Sequence, residues 1–296
     1  MPSGFQRAEM RLADYAMNNP IHFARPIILA AVLATGVAAA PVPVAAPAPT
    51  YADLADLADK ADLVVHVAVT RQTALPPERA PGVAPGFTRL YIQARTLALL
   101  AGSAPLGGSV SYLVDVPTNA KGKPPKLKKR EFLLFAKPVP GRPGELQLAS
   151  PTAQLPFDGA LADRLRPILS ELAATDAAPS VTGVRDALSV PGALVGESET
   201  QVFLGAANGE PVSLTVVRRP GMTPTWGVSY SEIVDQAARP PEPDTLAWYR
   251  LACFLPAQLP REANLSQDPA SRARATEDYG FVLRQLGPCP RTLTAR

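Results

Sequence analysis

The densest charge in the chain lies in "KGKPPKLKKR", residues 121–130, where six cations fall within ten residues. Elsewhere positive charge is carried by arginine, and the only other lysines are Lys60 and Lys137. Gly122, Pro124 and Pro125 break both helix and sheet, so the run must be a loop. Two readings of Lys126, Lys128, Lys129 and Arg130 stay open. As a solvated turn, they keep a neighbouring strand edge from pairing with other chains. As a binding surface, they hold an acidic envelope polymer or anionic lipid head groups. No aromatic residue interleaves with them, which argues against single-stranded nucleic acid. A net charge of +3 over 296 residues argues against general nucleic-acid binding.

Other chemistries have little material. Of the two histidines, His22 precedes an apolar export-like stretch, which leaves His66 in "LVVHVAV". It shares a strand face with Val64, Ala68 and Thr70 and reads as a packed or edge histidine. With two cysteines beside it, the usual metal clusters cannot form, and no metal is expected. "GVSYS" (227–231) lacks the closing glycine of a nucleophile elbow. No phosphate loop or dinucleotide fingerprint is present, so no cofactor is expected. Glu197 and Glu199 would share a face at a sheet edge, but spacing alone does not make them an acid and a base. Asp53, Asp56, Asp59 and Asp62 recur at every third position without the glycine turn and closing glutamate of a calcium loop. They are expected to form a solvated helix face.

The address comes from "RPIILAAVLATGVAAAPVPVAAPAPT", residues 25–50. Arg25 flanks an apolar core from Ile27 to about Val37, and Ala38, Ala39 and Ala40 suit a signal peptidase. The core is shorter than the roughly 20 apolar residues that a membrane span needs, so the mature form has no expected transmembrane span. A periplasmic or secreted protein is expected; the alternative is an uncleaved N-terminal anchor. Cys253 and Cys289 suit that compartment, where two cysteines usually pair. Two separate buried thiols are the alternative.

These residues need elements to position them. The 34 prolines favour short elements joined by rigid connections. "TYADLADLADKADLVVHVAVT" predicts a helix capped by Thr50, then a valine-rich strand from Leu63 to Thr70. Strands follow in "FTRLYIQARTLALL", "GGSVSYLVDVP" and "EFLLFAK", with a fifth around Leu146–Ala149. Turn residues fill every gap. An amphipathic helix starts at Asp158 and contains Pro167. In the second half, "ETQVFLGAANGEPVSLTVVRR" predicts a hairpin turning at Asn208-Gly209. "TWGVSYSEIV" adds a third strand. Two helices follow, one starting at Asp244, the last capped by Asp268 and stopped by Gly287.

The helix ending "ADLVV", the long second strand, "GGSVSYLV" and the turn into "REFLLFAK" resemble a pattern in secreted bacterial proteins similar to the netrin-type module. That module is the OB-like barrel also found in tissue inhibitors of metalloproteinases. The resemblance covers residues 51–157 and implies a fold. Inhibitors of that type chelate the protease zinc through an N-terminal cysteine, and this sequence has none there.

The expected fold is α+β: an OB-like five-stranded barrel with flanking helices over 50–177, after a signal and spacer at 1–49. A small α+β domain with three strands and two disulfide-tied helices completes it over 178–296. Two functions from different classes stand. One is an exported, non-enzymatic binding or interaction protein of the cell envelope. The other is an envelope hydrolase or protease inhibitor.

Overall fold

The computed structural model describes residues 48–231 and 238–293. The expected export signal lies outside the described residues, as does the end of the strand expected over 225–234. Helix α1 (Tyr51–Asp59) leads into strand β1 (Leu63–Ala74), then β2 (Phe87–Ala101), β3 (Ser109–Pro117), β4 (Glu131–Pro138), β5 (Glu145–Leu148) and the short β6 (Gln154–Pro156). Helix α2 (Gly159–Ala173) follows, then β7 (Val181–Pro191), β8 (Ser198–Ala206), β9 (Val212–Arg218), β10 (Thr225–Ser229), α3 (Leu246–Ala252) and α4 (Pro269–Leu286).

The first sheet runs β1-β2-β3-β5-β4-β6, and β4 pairs back onto β1, so that β1 to β5 close an OB-like barrel with the short β6 added to β4. Its pairings are antiparallel except β3 with β5, which is parallel. Closure removes most of the exposed edge that an open sheet leaves. Val65, Val67, Leu90, Ile92, Val110, Tyr112, Phe132 and Leu134 fill the interior. Strand β4 reads as a continuous apolar run because both its faces are buried. Phe132 and Leu134 point into the barrel, while Leu133 and Phe135 join a second core with the helices.

That second core continues from the outside of the barrel through α1, α2 and α3 to the inner face of the second sheet and α4. The second sheet is antiparallel in the order β10-β9-β8-β7, four strands where the sequence pattern predicts three. Strand β7 escapes that pattern because Gly183 and two register shifts, at 181/183 and 184/186, break its alternation. The hairpin at Asn208-Gly209 forms as expected, with Gly209 at φ +78°.

Helix α1 differs in surroundings from its reading as a solvated face. Thr50 and Asp53 form the capping box, and Asp53 is only 2% exposed. Its carboxylate also accepts hydrogen bonds from Thr292 N and Oγ1 and from Leu293 N. Asp56 accepts from the Tyr249 hydroxyl and from Arg291, and Asp59 binds Arg250 through both oxygens at 2.7 Å. Only Asp62, 4.0 Å from Lys137, remains an exposed pair. The three-residue spacing is therefore a docking strip for α3 and for residues 290–293. Cys253 and Cys289 are disulfide-bonded, which ties that terminal segment to the end of α3.

Candidate functional site

The outward face of the barrel owes its composition to one irregularity. In β1, Val65, Val67 and Val69 point inward, and a register shift between Val69 and Arg71 inserts Thr70 as an extra residue. The Thr70 hydroxyl donates to the Gln93 carbonyl. Beyond the bulge the alternation is reset. Gln72 lies opposite buried Ile92, while Arg71 and Thr73 lie opposite Gln93 and Tyr91 on the outside. On β2 the outward set is Arg89, Tyr91, Gln93 and Arg95; on β3 it is Ser109, Ser111, Leu113 and Asp115.

Together they floor a cleft of about 1100 Å³, continuous with a second of about 570 Å³ through Tyr91, Gln93, Ser111 and Glu145. The β1–β2 connection contributes Arg79, and the β4–β5 connection contributes Arg142. Tyr91 and Leu113 are paired in register at the centre and form a small apolar floor. Both acids of the cleft are occupied. Asp115 holds Arg89 through two bonds at 2.7 and 2.8 Å, which raises the Arg89 guanidinium above its ordinary value, and Glu145 holds Arg142 at 3.2 Å. Arg71, Arg79 and Arg95 have no hydrogen-bonding or ion-pair partner for their guanidinium groups among the described residues. The groove therefore offers uncompensated positive charge beside an apolar floor and several hydroxyl and amide groups. Such a surface suits an extended anionic ligand.

The loop cations lie elsewhere. Lys126, Lys128, Lys129 and Arg130 are all exposed, and Leu127 between them is buried in the barrel core. Gln72 fixes this loop: its Oε1 accepts from Leu127 N and Lys128 N, and its amide donates to the Pro125 carbonyl at 2.9 Å. Lys129, at φ +69°, donates its N–H to Val69, and the Val69 N–H returns to Arg130. Since Gln72 points opposite to Arg71 and Thr73, the loop stoppers the barrel rather than flooring the groove. Arg130 packs 5.7 Å from the Phe132 ring centroid.

His66 stacks on Phe157, ring centroids 3.7 Å apart, and its Nε2 lies 2.8 Å from the Glu131 carboxylate. This is a packed histidine held on the outside of the barrel, linked to the groove residues only by way of β1. Glu197 turns back into its own hairpin to accept from Leu194 N, while Glu199 accepts from Gln201. Both border a small depression of about 370 Å³ with Val190 and Val217. Among the described residues, no three or more His, Cys, Asp and Glu side chains gather as a metal site. No helix among them is long and apolar enough to cross a membrane.

No known protein family and no curated protein matches this chain. The groove therefore carries the functional reading. Its arginines are scattered between positions 71 and 142, and only the bulge and the barrel bring them together. The spacing of β2, with Arg89, Tyr91, Gln93 and Arg95 at every second position, is the one signal in the sequence that could have found it.

Proposed function

We propose that this protein is an exported, non-enzymatic binding protein of the cell envelope whose ligand is acidic and lies along the outer groove of the barrel. The observation that carries the reading is the set of unpartnered arginines, Arg71, Arg79 and Arg95, around the Tyr91–Leu113 floor. The disulfide supports an oxidising compartment, and the apolar segment before residue 41 supports export. The exposed cations Lys126, Lys128, Lys129 and Arg130 act as a second, peripheral contact for acidic polymer or anionic lipid. Kinship with the netrin-type module fits the strand order, and the missing N-terminal cysteine separates this chain from the zinc-chelating inhibitors.

Retention of the mature protein on an anionic polysaccharide matrix tests the reading. Arg71→Glu, Arg79→Glu and Arg95→Glu combined should abolish retention. Neutralising the four loop cations should only weaken it. Binding of the unaltered protein should fall with salt, since exposed charges are screened over about 8–10 Å near physiological ionic strength. Undiminished retention by the triple variant would overturn the assignment.

A further inference from the structure

The groove does not have the same construction along its whole width. From β1 and the residue just after it, and from β2, it takes alternate residues, Arg71, Thr73 and Leu75, then Arg89, Tyr91 and Gln93. From β3, and from β5 with the turn that follows it, it takes unbroken runs, residues 111–115 and 145–151. Alternate lining means a sheet face; unbroken lining, which includes inward-pointing Tyr112 and Val114, means a strand seen from its edge. The cleft thus lies over the face of β1 and β2 and descends into the seam between β3 and β5.

That seam is open for a topological reason. Strands β3 and β5 pair only at Ser111 with Glu145 and Tyr112 with Leu146. After that β5 turns to β4, pairing Leu146, Gln147 and Leu148 with Pro138, Lys137 and Ala136. Ser111 donates its N–H toward the β5 side, to the Gly144 carbonyl at 2.8 Å. Beyond that pairing, backbone alternation carries the Leu113 carbonyl and the main-chain groups of Asp115 to the same side, where no strand pairs. An unpaired strand edge is a template for another strand.

We propose that the groove receives an extended peptide segment of a partner protein, which adds as a short strand to the free edge of β3 and presents acidic side chains to Arg71 and Arg79. The charge part of this rests on the acidic-ligand reading above; the strand-addition part stands on the seam. The floor favours a peptide over a nucleic acid or a stacked sugar chain, because Tyr91 is its only outward-facing aromatic and base-stacking platforms use several. Main-chain hydrogen bonds supply affinity in this mode, and alternate side chains supply selectivity.

The test is selection of a phage-displayed library of random linear peptides on the oxidised full-length mature chain. Enriched peptides should be acidic and free of proline at their centre. Resynthesis with N-methyl groups on alternate backbone nitrogens should weaken binding by about tenfold or more, since it removes edge hydrogen bonds and keeps every side chain. Equal binding of the methylated peptides overturns strand addition, as does the absence of any enrichment over the unselected library. A peptide that is sensitive to methylation but indifferent to Arg71→Glu/Arg79→Glu supports strand addition and overturns the acidic-ligand reading. Polyphosphate or polyuronate binding that needs Arg71 and Arg79, with no peptide enriched, overturns strand addition and leaves the acidic-ligand reading standing.

Discussion

Inside the barrel, Val67, Ile92, Val110 and Leu134 meet with no charged group among them, whereas beneath the second sheet a carboxylate is fully buried. Asp278 of α4 accepts from the Thr200 hydroxyl on β8 and from Arg218 on β9. Thr200 contacts Ser189 of β7 at 2.9 Å, and Ser266 Oγ accepts from Ser189 N. The barrel closes its own ladder and can rely on non-directional burial. The second sheet is open, and its helix is oriented by a directional network. The barrel interior should therefore answer to volume and shape, and the second sheet to hydrogen bonding and charge as well.

Two substitutions bear hardest on this contrast. Phe132→Ala, inside the barrel, should cost about 3–5 kcal/mol in urea unfolding, while Phe132→Leu should recover much of that. Asp278→Ala should cost a similar ~3–5 kcal/mol, because Arg218 loses its buried partner. Asp278→Asn keeps the shape and should stay costly. If it proves as mild as Phe132→Leu, the network is not what holds α4, and the contrast fails.

Removing the disulfide should have the next largest effect. Cys253 and Cys289 are 36 residues apart, and Cys253→Ser/Cys289→Ser should lower stability by about 2–5 kcal/mol. Proteolysis of the variant should cut first after α4, with the barrel surviving longer. Equal loss of both regions would show that they unfold as one unit.

A smaller, pH-dependent effect belongs to α1. Burial opposes ionisation of Asp53, but hydrogen bonds from Thr292, Thr50 and Leu293 outweigh it and hold the carboxyl below its usual range. Asp56 is likewise lowered: burial opposes, and hydrogen bonds from Arg291 and Tyr249 prevail. A depressed folded-state pKa gives stability that is present above the unfolded value, about 4, and lost as pH falls through the folded one. Thermal melts should thus decline below about pH 4, and Asp53→Asn/Asp56→Asn should flatten that decline. The smallest effect is expected at the stopper loop. Neutralising Lys126, Lys128, Lys129 and Arg130 should change stability within about 0.5 kcal/mol each, whereas Leu127→Ala should cost about 2–5 kcal/mol.

What the sequence makes legible follows the same division. The barrel strands, the caps at Thr50, Asp158 and Asp268, the Asn208-Gly209 turn and the cysteine pair all rest on local patterns, and each is readable. Strand β7 is not, since its bulges erase alternation. The acids of α1 read as solvated because their partners, Tyr249, Arg250 and residues 291–293, lie some 190–240 positions away. The loop cations stand out because they are neighbours in sequence. The groove arginines do not, because Arg71 faces outward only by virtue of the extra residue at Thr70, which nothing in its type announces.

The grip of α1 on residues 290–293 also sets an order of events. A chain that emerges from its N-terminal end presents Asp53 and Asp56 well before Arg291 and Thr292. Until then the Asp53 carboxylate, destined for burial, must remain in water, while α1 can already meet α3 through Tyr249 and Arg250. The barrel strands are all out long before, so the fold is finished by a latch rather than by its core. Replacing Arg291, Thr292 and Leu293 would leave every strand in place and that latch undone.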